Sequence, residues 1–68
     1  MGRRDEVLKH IEMYRVLIEQ QEFLLETYKQ LKKTSNQNFT DQEASVHHIL
    51  AANKTRLAKY ERELEELK

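Results

Sequence analysis

Two stretches of this chain repeat their apolar residues every 3.5 positions, and only one short polar segment divides them. With Ile11 at heptad position a, the first stretch carries Val7, Ile11, Tyr14, Ile18, Gln21, Leu25 and Tyr28 at a and d. The second carries Val46, Leu50, Asn53, Leu57, Tyr60, Leu64 and Leu67. A seam of that period is the pattern of a helix that packs lengthwise on another helix, and a strand cannot use it. The chain has no proline, and its one glycine is Gly2, so neither residue breaks a helix after the extreme N-terminus.

The division falls at Thr34, Ser35, Asn36, Gln37 and Asn38, whose short polar side chains compete with the backbone for hydrogen bonds. Lys32 and Lys33 complement the negative end of a helix just before it, and Asn36 is suited to the left-handed conformation that caps a helix. Thr40 followed by Glu43 reads as a capping box, with Asp41 adding charge to the first turn and Phe39 placed as a staple or a plug. These signals predict helices over about 4–34 and 41–67, joined by a loop over about 35–40. Helices of similar length joined so closely lie side by side and antiparallel. The expected architecture is all-α: a coiled-coil-like two-helix hairpin filling one domain over 1–68.

At 68 residues such a hairpin buries a poor share of its apolar surface. There is no cysteine to staple it, which also suits a reducing cytoplasm. Self-association is then the expected source of stability, two hairpins forming a four-helix bundle. The flanks of the seam indicate where. At e, Arg15 falls opposite Glu61 and Glu22 opposite Lys54, a pattern of exposed ion pairs worth a few tenths of a kcal/mol each. At g, Leu17, Leu24 and Leu31 stand on a seven-residue spacing and Ile49 answers from the second helix, so these four are the candidate self-association residues. Left exposed, each large apolar side chain forgoes roughly 1.5–3 kcal/mol of burial.

Three further positions stand out on the outer side of the first helix. Met13, Val16 and Phe23, at c and f, point away from the seam and form a candidate docking strip for a larger protein; the alternatives are scattered surface residues or side chains folded over the leucine row. Alanines at 44, 51 and 58 could allow another helix to approach, or simply favour helix. Gln21 and Asn53 interrupt the two seams, and folding about the loop centre brings them within about one helical turn of each other, Tyr14 and Tyr60 likewise. Contact of the two amides either penalises slipped registers, which would strand an amide among apolar groups, or is a solvent-accessible pair.

Little in the chain suggests chemistry. His47 and His48 diverge by about 100° on a helix, His10 is remote from both, and Glu43 with His47 is at most half a metal site. No metal and no cofactor is expected. No phosphate loop and no nucleophile beside a base can be found, so catalysis is not expected. Equal numbers of acidic and basic residues leave no basic face, and the small cluster of Arg3, Arg4 and Lys9 lacks interleaved aromatics. The longest apolar runs are a few residues, too short for a bilayer span or a signal-peptide core. The expectation is a cytoplasmic protein-interaction module, homodimeric, that binds and modulates a larger protein as a regulator, inhibitor or co-chaperone does. A purely structural assembly element and a nucleic-acid-associated regulator are the alternatives.

Overall fold

A computed structural model describes residues 2–67 as two α-helices, α1 over Arg3–Ser35 and α2 over Thr40–Glu66, with no strand among them. The helices pack along each other as an antiparallel hairpin measuring 51 × 15 × 13 Å. Contacts fix the direction: Arg3 meets Glu63 at the open end, Gln21 meets Asn53 midway, and Lys32 meets Glu43 beside the loop.

The connection is tighter than the sequence suggests, four residues over 36–39 rather than about six. Thr34 and Ser35 remain helical because their hydroxyls turn back onto the backbone. Ser35 Oγ donates to the Leu31 carbonyl at 2.7 Å, and Thr34 Oγ1 lies 3.3 Å from the Gln30 and Leu31 carbonyls. Asn36 then reverses the chain in the left-handed conformation, φ 56°, the only non-glycine with positive φ among the described residues.

The expected capping box does not form. Thr40 takes no capping role: its amide donates to Asn38 Oδ1 at 2.9 Å, and its hydroxyl bonds the same oxygen. Glu43 reaches instead across the hairpin to Lys32 Nζ at 3.0 Å, while its amide donates to the Phe39 carbonyl at 2.8 Å. An ion pair spanning the two helices thus replaces the local reciprocal bond. Phe39 lies over the end of the core, its ring 5.2 Å from that of Tyr28, so it acts as a plug rather than a staple on Ala44.

The core follows the a/d series. Val7, Ile11, Ile18 and Leu25 of α1 are buried with Val46, Leu50 and Asn53 of α2. Ile18, Leu25, Val46 and Leu50 form one cluster near the loop, against which Tyr28 and Leu57 pack. Leu67, the last seam residue, follows the end of α2 and is 42% exposed. No helix among the described residues is long and apolar enough to cross a membrane.

Candidate interaction surface

The seam that closes the hairpin also sets what faces outward. At its centre Asn53, only 5% exposed, donates Nδ2 to Gln21 Oε1 at 3.1 Å. A buried amide without that partner would carry a desolvation cost of about 1–3 kcal/mol. In the observed alignment of the helices the buried amide has that partner. Tyr14 and Tyr60 stack two layers further on at 5.8 Å, and His10 stacks on the same Tyr60 at 4.7 Å.

Along the e edge the expected ion pairs form. Arg15 Nη2 lies 3.3 Å from Glu61 Oε2, and Lys54 Nζ lies 3.9 Å from Glu22 Oε2, all four side chains being largely in water. At the open end the Arg3 guanidinium grips Glu63 through two bonds, from Nε to Oε2 and from Nη2 to Oε1 at 3.0 Å. That hydrogen bonding holds the Glu63 carboxyl below its ordinary value of 4.5, assisted by the charges of Arg3, Lys59 and His10, and raises the Arg3 guanidinium in turn.

The g edge is different in kind. Leu17 is half-buried, while Leu24, Leu31 and Ile49 are 38%, 39% and 47% exposed, as a hairpin standing alone must leave them. Met13, Val16 and Phe23 are exposed as well, Phe23 at 73%. Phe23 therefore does not fold over the leucine row. Two shallow grooves follow this outer side of α1, one lined by Val16, Glu19, Gln20 and Phe23, the other by Lys9, Glu12, Met13, Val16, Leu17 and Gln20. They share Val16 and Gln20, so the apolar strip is continuous from g round to f. Leu8, also exposed, sits apart from it at e.

Comparison with known families, with characterised proteins and with solved structures gives no match. The surface must be read from its own chemistry.

His47 and His48 are both exposed, and no group of three His, Asp or Glu side chains among the described residues is placed to hold a metal ion. Ala44, Ala51 and Ala58 form an exposed strip on α2. Two features escape the heptad reading. The stacking of His10 on Tyr60 was hidden because His10 is a g residue and lies outside the a/d lists, whereas the meeting of Tyr14 with Tyr60 follows from the seam itself. The Arg3–Glu63 clamp was hidden because Arg3 reads as part of a basic N-terminal cluster. Extending the register that pairs Leu24 with Ile49 sets His10 opposite Glu63, with Arg3 two turns further toward the open end, and this was the available signal for both.

Proposed function

We propose that this chain is a small protein-interaction module, a homodimeric helical hairpin that binds and modulates a larger protein in the manner of a regulator, inhibitor or co-chaperone. The observation that carries this reading is the coexistence on α1 of two apolar faces that the hairpin's own core does not use: the g row of Leu24 and Leu31 with Ile49 beside it, and the outer strip of Met13, Val16 and Phe23. One suits self-association and the other leaves a surface for a different protein. The module works by binding rather than by catalysis, and absence of cysteine suits the cytoplasm as its site of action. Arg3, the first of the basic N-terminal residues, is engaged by Glu63, which weakens the case for a nucleic-acid contact there.

The test is affinity capture with the wild type and Phe23→Asp as paired baits, after light scattering has shown that both have the same mass. A bound protein recovered by the wild type and lost by Phe23→Asp supports docking on the outer strip. Equal recovery by both removes that strip from the reading. The depth of exposure at Phe23 also favours a structural alternative, in which Val16 and Phe23 are buried between hairpins of a larger assembly; it requires a mass above that of a dimer.

A further inference from the structure

Beside the seam that packs on α2, helix α1 carries a second one. Its c and g positions from 13 to 34 read Met13, Leu17, Gln20, Leu24, Thr27, Leu31 and Thr34. None is charged, in a chain whose charged fraction is 35%. The neighbouring b positions show what a solvated face of this helix looks like: Glu12, Glu19, Glu26 and Lys33. Both threonines of the second seam are satisfied by their own helix, Thr27 Oγ1 donating to the Phe23 carbonyl at 3.0 Å and Thr34 Oγ1 lying 3.3 Å from the carbonyls of Gln30 and Leu31. Their hydroxyls need no outside partner. On α2 the same side of the hairpin offers exposed Ile49 level with Leu24, then turns charged at Arg56 and Glu63 toward the open end. The uncharged strip therefore occupies the loop-proximal part of this face and is centred on Leu24.

We propose that a second copy of the chain covers this strip in an antiparallel arrangement whose two-fold axis passes at Leu24. Leu24 then meets the second copy's Leu24, Leu17 faces its Leu31, Gln20 faces its Thr27, and Ile49 packs beside the axis. This rests on the homodimer reading above and adds its geometry. An isologous contact must be complementary to itself under reversal, and this strip is: leucines lie seven residues either side of Leu24, the small polar pair Gln20 and Thr27 lies between them, and Met13 and Thr34 close the ends.

Parallel pairing would also superpose the leucines. It would set like ends of the helix dipoles side by side, and place His10, Arg3 and Glu63 against their own copies. The antiparallel arrangement carries those charged open ends past the second copy's loop into water. It leaves Val16 and Phe23, at f, outside the contact, with Met13 at its rim. The overlap is about 22 residues, ~33 Å at 1.5 Å per residue. Across a hairpin 15 Å wide this gives roughly 1,000 Å² for both copies together, the lower limit of a specific interface. The dimer is accordingly reversible on dilution.

Cysteine scanning with a short bis-maleimide tests the geometry, the wild type having no thiol. Leu17→Cys and Leu31→Cys, each alone and as an equimolar mixture, are cross-linked after circular dichroism confirms that they are helical. Around an axis at Leu24 the two copies of residue 17 stand ~21 Å apart, so each variant alone gives little product and the mixture gives several-fold more. Met13→Cys with Thr34→Cys, exposed positions outside the hairpin core whose own copies stand ~30 Å apart, must show the same preference for the mixture. Self-cross-linking of each variant alone would overturn the antiparallel geometry while leaving the homodimer intact. A wild type that scatters light as a monomer at every concentration would instead remove the homodimer itself.

Discussion

Replacing both Gln21 and Asn53 with leucine should stabilise the hairpin by more than the two single replacements together. The asymmetry comes from their burial. Asn53 is 5% exposed and Gln21 is half-buried, and one 3.1 Å hydrogen bond joins them. Gln21→Leu strands the buried Asn53 amide at about 1–3 kcal/mol, against about 1 kcal/mol gained from a half-buried leucine, so this variant is expected to be less stable than the wild type. Asn53→Leu gains roughly 1.5–3 kcal/mol of burial and loses about 1 kcal/mol of hydrogen bond, while the freed Gln21 oxygen reaches water; a net gain of about 1 kcal/mol is expected. The double variant combines both burial terms and strands nothing, giving a gain of about 2–3 kcal/mol.

Urea unfolding followed at 222 nm, at one fixed protein concentration, measures all four corners of this cycle. A coupling of at least ~1 kcal/mol is expected. Additivity to within ~0.5 kcal/mol would refute the idea that the amides act as a pair. The same double variant should also lose alignment, since a slipped helix would no longer bury an unpaired amide. Light scattering should then show a broader distribution of masses than the wild type.

Two other perturbations address the ends of the hairpin. Glu63 is held below its ordinary value of 4.5 by Arg3, so its contribution is present above that value and is lost as pH falls through the lower folded-state value. Acidification from pH 5 toward 3 should lower the amide protection factors near Arg3 and Glu63, measured relative to the slower intrinsic exchange at low pH, and Glu63→Gln should remove this part of the response; an unchanged acid profile in the variant would contradict the clamp. At the loop, Asn36→Gly should be neutral or slightly stabilising and Asn36→Val should lower stability by about 1–2 kcal/mol, because φ 56° is tolerated by glycine and opposed by a β-branched side chain. Equal melting temperatures for the two variants would mean that the turn does not depend on that conformation.

Much of the fold was legible because a 3.5-residue repeat and a polar break leave few ways to bury the apolar positions. Ile18, Leu25, Val46 and Leu50 fall in the core for that reason, and Arg15–Glu61 and Glu22–Lys54 follow once the register is set. The loop was less legible. Thr34 and Ser35 can either end a helix or bond back to it, and here they bond back. Glu43 can answer Thr40 within its own turn or Lys32 across the hairpin, and here it answers Lys32. At the open end, stacking of His10 on Tyr60 depends on how a g side chain leans over the seam, which heptad letters do not encode. The spacing located the leucine row and the Phe23 strip, and their exposure agrees with it; what binds there is a matter of surface chemistry.

The most direct measurement on the leucine row is the solution mass of the wild type and of Leu24→Glu by light scattering after gel filtration, over a range of loading concentrations. Leu24 is 38% exposed in the hairpin, so a glutamate there meets water in the single hairpin and apolar side chains only in the dimer. We expect a wild type that moves from dimer to monomer on dilution and a variant that is helical and monomeric throughout. A wild type that is monomeric at every concentration, or a Leu24→Glu variant that dimerises as the wild type does, would contradict self-association through this row.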